Sequence, residues 1–225
     1  MSTTTDTTLT ADGFKPHHHA HHFDSADHEF EAAKQGMWLF LVTEVLMFGG
    51  LFVAYGIFRG LYPEMFHTAH KELAVNLGAI NTIVLITSSL TMAAAVTATQ
   101  KGRRDLAIVN LIFTFLCACG FLFIKYLEYS HKFHDGLLPG AHFANAELKA
   151  HEPKISLFFS LYFLMTGLHG IHVLIGMGLI TWMLIRTLRN EFSPYWYTPV
   201  ELTGFYWHFV DLVWIYLFPL LYLVG

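Results

Sequence analysis

Residues 37–58 read MWLFLVTEVLMFGGLFVAYGIF and contain a single acidic or basic residue, Glu44. A helix that crosses the hydrocarbon of a bilayer needs about 20 predominantly apolar residues. The stretch from Gly36 to Phe58 meets that length and is predicted to span a membrane. Four more stretches do the same: Leu77 to Gln100, Leu106 to Tyr129, Ile155 to Leu188 and Leu202 to Val224. The fourth span is the longest and must tilt or protrude beyond the bilayer. The alternation of apolar and polar residues that a membrane barrel requires is absent. The expected fold is therefore all-α, a polytopic membrane protein built as a bundle of five transmembrane helices.

Composition agrees with this reading. Of the 225 residues, 54% are hydrophobic and 13% are charged, against about 25% charged in soluble domains. So few charges cannot solvate an ordinary globular surface. The formal charge of −4 offers no basic patch of the kind nucleic acid requires, and no nucleic-acid partner is expected. Cys117 and Cys119 sit two apart in one apolar run, so on a helix they point in different directions and read as small apolar filler.

Residues 1–34 are of a different material, polar and His-rich, with the cluster HHHAHH at 17–22. They lack a basic segment followed by an apolar one and so do not read as a cleavable signal peptide. We read them as a disordered tail preceding a membrane domain at 35–225. Lys101, Arg103 and Arg104 crowd the short connection after the second span, and Arg186 and Arg189 follow the fourth. Dense basic residues in short loops mark the cytoplasmic side. This places the N-terminus in the cytoplasm and the C-terminus outside.

Polar groups at membrane depth are costly and need partners or a task. Glu44 is read either as a protonated carboxyl hydrogen-bonded to a neighbouring helix or as a proton-linked acid. His169 and His172, at i and i+3, share a helix face, and the glycines at 167, 170, 176 and 178 would let another helix approach closely. Metal-bearing bundles add carboxylates at matching spacing on facing helices. The neighbouring spans offer none, so the pair is read as hydrogen-bonding and no metal site is expected. Glu201, His208 and Asp211 fall along one stripe that should face the bundle, with Asn81 and Thr87-Ser88-Ser89 as partners. Glu128, near the end of the third span, is placed in the same polar network or at the interface. A phosphate-binding loop, a nucleophile elbow and a Cys-x-x-Cys-His heme attachment are all absent.

These same residues carry a resemblance. WLFLVTEVLMF (38–48) resembles the W-x-F-x-x-S-E-x-M-F-F segment of the cytochrome c oxidase subunit III family, with Glu44 on the membrane carboxylate and Thr43 replacing the usual serine. Ile80 to Ser89 resembles its L-N-T-x-x-L-x-x-S-S helix. Lys125 to Tyr129 resembles a Q-x-x-E-Y ending, with Lys125 where many members carry Gln. GLHGIHV (167–173) resembles G-F-H-G-x-H-V, and YWHFVDLVW (206–214) matches Y-W-H-F-V-D-x-V-W almost letter for letter. Many members have seven spans; this chain resembles the five-span bacterial form.

The resemblance implies an accessory subunit without redox centres or catalytic residues of its own. Hemes and copper would lie in partner subunits I and II, which reduce oxygen and pump protons across a bacterial inner membrane. Subunit III would stabilise subunit I, support proton uptake and bind phospholipid, and Glu44 would be the acid that reacts with hydrophobic carbodiimides. Cytochrome c is the expected electron donor, because quinol-oxidising relatives tend to carry Asp at the first-span acid. A heme-copper quinol oxidase is the alternative. A third reading, a stand-alone proton-coupled transporter using Glu44 and Asp211, requires repeated halves and broken helices.

Overall fold

The computed structural model describes residues 23–139 and 143–223. The chain order is α1 (Ala26–Leu61), a short α2 (Pro63–Ala69), a 3-10 turn at His70–Glu72, α3 (Val75–Gln100), α4 (Arg104–His134), a short α5 (Ala146–His151), α6 (Ile155–Leu188) and α7 (Thr198–Phe218), which closes in a π-helical turn at Pro219–Leu223. Five of these segments are long and apolar enough to cross a membrane. The described residues contain no strand, only two isolated bridges, Leu137 with Phe143 and Ser193 with Trp196. The five-helix expectation holds.

The first helix is longer than its apolar run. Ser25 caps it by accepting from the His28 N–H at 3.1 Å, and Asp27 and Glu29 in the first turn complement the helix dipole. Residues 26–34, read from sequence as part of a disordered tail, are therefore helical. Local capping extends α1 beyond the membrane-length segment that hydropathy detects. The HHHAHH cluster lies outside the described residues. At the other end α1 stops at Tyr62, because Pro63 disfavours helical geometry in the residue before it. With 36 residues in α1 and 34 in α6, each is about 50 Å long at 1.5 Å per residue and extends past a hydrocarbon core of about 30 Å.

Gly102, at φ 66°, ends α3 in the left-handed region and turns the chain directly into α4. The two helices form an antiparallel hairpin, and α7 lies against both α3 and α6. α1 packs on the outside of α6 and α7, burying little besides Phe48 and Tyr55. The core is unusually aromatic, with Trp207, Trp214, Tyr162, Phe121, Phe158 and Phe159 all fully buried. Large apolar side chains such as Leu46 and Leu90, both 70% exposed, cover the outside. This distribution suits a lipid environment. α1, α3, α4 and α6 are each continuous helices, without the breaks a transporter of the inverted-repeat kind would show.

Of the four glycines in α6, only Gly176 mediates a close approach. A Cβ there would lie 2.6 Å from Cζ3 and 2.7 Å from Cε3 of Trp207. Gly170 and Gly178 face open space, and at Gly167 the nearest atom would be the Tyr129 hydroxyl at 3.9 Å. The sequence reading of all four as a packing surface is corrected to one, since only position 176 is turned toward α7.

Candidate functional site

The intramembrane polar residues do not form one network. They separate into three groups, set by how each helix is rotated about its axis.

The first group joins α1 to α6. Glu44 Oε2 lies 2.9 Å from His172 Nε2, and His172 Nδ1 lies 2.8 Å from the Leu168 carbonyl. A carbonyl only accepts, so Nδ1 carries a hydrogen and donates it. The Nε2–Glu44 contact then holds one further proton. With that proton on the acid, Glu44 donates to a neutral ring; with it on Nε2, the pair is an imidazolium and a carboxylate. Phe48 packs edge-on to His172 at 5.2 Å, and the Tyr206 hydroxyl donates to the His172 carbonyl at 3.0 Å. Glu44 therefore sits at a helix seam with a titratable partner and a side chain 15% exposed.

The second group joins α4, α6 and the C-terminal π turn. Lys125 Nζ donates to Glu128 Oε2 at 2.8 Å and to the Tyr222 hydroxyl at 2.7 Å. Glu128 Oε1 accepts from Tyr162 at 2.8 Å and from Tyr222 at 2.6 Å. The Lys125 ammonium also stands 4.5 Å from the centre of the Trp214 ring, a cation–π arrangement. Glu128 is thus a fully paired interior acid, and its alternative placement at the interface is corrected. An ion pair removed from water needs satisfied lone pairs to offset desolvation, and here the two tyrosines supply them. Sequence reasoning overlooked the Lys125–Tyr162–Tyr222 part of this group. The available signal was a basic residue three positions before an acid inside an apolar run.

The third group lies along the α3–α7 seam. Trp207 Nε1 donates to Ser88 at 2.9 Å, Trp214 Nε1 to Thr82 at 3.1 Å, and Ser89 bonds His208 Nδ1 at 2.7 Å. Of the expected partners only Ser89 meets the stripe, at His208; Ser88 bonds Trp207 instead, and Asn81 bonds neither. Both its amide atoms are buried without a hydrogen bond, as are both carboxyl oxygens of Asp211. Thr87 turns back on the Ile83 carbonyl. Glu201 leaves the expected stripe: its Oε1 pairs with Lys34 of α1 at 3.3 Å. Seven residues earlier in the helix than His208, the Glu201 side chain is turned toward α1.

His169 and His172 also part company. His169 is fully buried between Phe121 and Trp214, at ring distances of 5.5 and 5.3 Å, and neither ring nitrogen makes a hydrogen bond. The expected hydrogen-bonding role therefore fails for His169 and holds for His172. A separation of three residues rotates the side chain by about 60°, enough to send one ring to α4 and the other to α1. Among the described residues no three His, Cys, Asp or Glu side chains converge.

A cavity of about 500 Å³ opens between α1, α6 and α7, lined by Phe40, Leu179, Trp182, Arg186, Trp196 and Tyr206 among others. The Arg186 guanidinium lies 5.4 Å from the Trp182 ring and 5.1 Å from Trp196, and donates to Glu191 at 2.7 Å.

Comparison with known proteins agrees with this architecture. The family model described as cytochrome c oxidase subunit III matches residues 17–225. The chain is 30% identical to the probable quinol oxidase subunit 3 of Staphylococcus haemolyticus (strain JCSC1435), over 92% of this chain and 96% of the relative. It is 31% identical to the quinol oxidase subunit 3 of Bacillus subtilis (strain 168), covering 84% and 86% respectively. It is 28% identical to the cytochrome bo(3) ubiquinol oxidase subunit 3 of Pseudomonas putida, covering 84% of each. A five-span bundle with a paired membrane carboxylate, matched from near its start to its last residue, thus identifies this chain as a member of the cytochrome c oxidase subunit III family of heme-copper oxidases.

Proposed function

We propose that the chain is subunit III of a quinol-oxidising heme-copper oxidase, packed against the redox subunits in a bacterial inner membrane with its N-terminus cytoplasmic. The observation that carries the choice of donor is that relatives aligned over most of both chains are quinol oxidase subunits. A cytochrome c donor is the second reading. It is favoured by the segment 38–48, whose resemblance to the cytochrome c oxidase subunit III pattern places Glu44 on that pattern's carboxylate. The complex that co-purifies with the chain separates the two. Quinol oxidation with hemes B and O supports the first reading; heme A with oxidation of reduced cytochrome c replaces it with the second.

The oxidase chemistry is proposed to lie in subunits I and II, since the two histidines of α6 do not suit a heme or copper. Both nitrogens of His172 are engaged, and His169 is walled in by aromatic rings. The role proposed for this chain is to brace subunit I and to hold a proton at the Glu44–His172 contact. Phospholipid is proposed to fill the cavity of about 500 Å³ between α1, α6 and α7, with Arg186 toward its headgroup.

A further inference from the structure

A second groove lies on a different face, between α3 and α4, with a volume of about 410 Å³. Its floor is formed by Ala93, Ala94 and Ala98, its inner end by Leu90, and its mouth by Lys101 and Arg103. Thr97 and Asn110 line it too, the Thr97 hydroxyl bonded back to the Ala93 carbonyl at 3.0 Å and the Asn110 amide to the Leu106 carbonyl at 2.7 Å. The small side chains create the depression, because bulkier residues at these positions would fill it.

The groove has the proportions of one lipid leaflet. From Lys101 to Leu90 is eleven residues of helix, about 16 Å at 1.5 Å per residue. Half of a hydrocarbon core of about 30 Å is 15 Å. A transmembrane helix from a partner would continue past mid-bilayer, whereas a single acyl chain ends there. The charge is also placed at one end only. Lys101 and Arg103 are exposed and make no ion pair among the described residues. Their neighbour Arg104 is used inside the fold, donating to the Thr187 and Leu188 carbonyls of α6 at 3.1 and 2.5 Å. Asp105 lies in the first turn of α4 and does not line the groove.

We propose that the α3–α4 groove is a binding site for an anionic phospholipid, whose phosphate is held by Lys101 and Arg103 and whose acyl chain lies over Ala93, Ala94 and Ala98. Basic residues at the membrane surface attract anionic headgroups, and the apolar groove beneath them converts that attraction into a defined site. It is separate from the cavity bounded by Arg186 and independent of the electron donor.

The test is native mass spectrometry of the purified oxidase complex in mild detergent, titrated with phosphatidylglycerol or phosphatidylcholine. The wild-type complex should retain one more phosphatidylglycerol than the Lys101→Gln, Arg103→Gln double variant. Each charge near an anionic surface strengthens binding roughly five-fold, so the double variant should bind about 25-fold more weakly. Ala93→Phe fills the groove while keeping both charges, and should lose the same lipid; it serves also if the charge variant fails to assemble. Arg186→Gln should leave this lipid in place. Retention of equal phosphatidylglycerol by both groove variants, equal retention of phosphatidylcholine, or displacement by an excess of inorganic phosphate would each overturn the assignment.

Discussion

Gly176→Ala is the substitution for which the structure gives the sharpest expectation. The new methyl would lie 2.6 Å from Cζ3 and 2.7 Å from Cε3 of Trp207, and 3.3 Å from Cε1 of Tyr206. Carbon atoms in contact prefer about 3.5–4.0 Å, so roughly 1 Å of space is missing. Trp207 cannot yield it: the ring is fully buried and its Nε1 is tied to Ser88 at 2.9 Å. Either α6 separates from α7 or the ring rotates and gives up its hydrogen bond. Overpacking of this kind costs about 1–3 kcal/mol and a lost hydrogen bond about 1 kcal/mol. Replacing a mid-helix glycine returns roughly 0.5–1 kcal/mol. Gly178→Ala receives only that gain, since nothing lies within 4 Å of its Cβ position. The two variants should therefore differ by about 1–4 kcal/mol, or roughly 2–16 °C in melting midpoint at about 2–4 °C per kcal/mol. Thermal melts of the complex in one detergent, followed by tryptophan fluorescence, measure the difference. If Gly176→Ala melts with or above Gly178→Ala, the α6–α7 contact does not limit stability and the reasoning fails.

Three further outcomes are expected. Lys125→Leu strands Glu128 in the interior and should destabilise the chain by about 3–5 kcal/mol, whereas Lys125→Gln, which keeps donors toward Glu128 and Tyr222, should lose less than half of that; equal loss in thermal melts would show that the cluster is merely packing. Glu44→Gln should preserve assembly, because an amide still bonds His172, and should abolish labelling of this chain by a hydrophobic carbodiimide; persistent labelling would move the reactive acid elsewhere. His208→Leu removes the hydrogen bond to Ser89, at a cost of about 1 kcal/mol, and that loss should appear in the melting of this chain before any change in its co-purification with subunit I. The reverse order would mean that His208 contacts the partner directly.

Fold and site were legible in the sequence to different depths. Five spans, their order and the absence of strands among the described residues follow from local hydropathy, because a lipid environment obliges each segment to satisfy its own backbone as a helix. The special status of Glu44, His172, His208 and the serines of α3 was also legible, since a polar group in an apolar run has few neutral explanations. What sequence could not supply was the partner of each. Glu44 lies 128 positions from His172, and Glu128 lies 94 from Tyr222. Those pairings depend on helix rotation and tilt, which hydropathy leaves undefined. The same rotation separates His169 from His172, singles out Gly176 among four glycines, and turns Lys125 inward as the counter-charge of Glu128. Composition and period determined that this chain is a membrane helix bundle. Only the packing of one helix against another decided which of its polar groups are paired, which are walled off, and which remain at the surface.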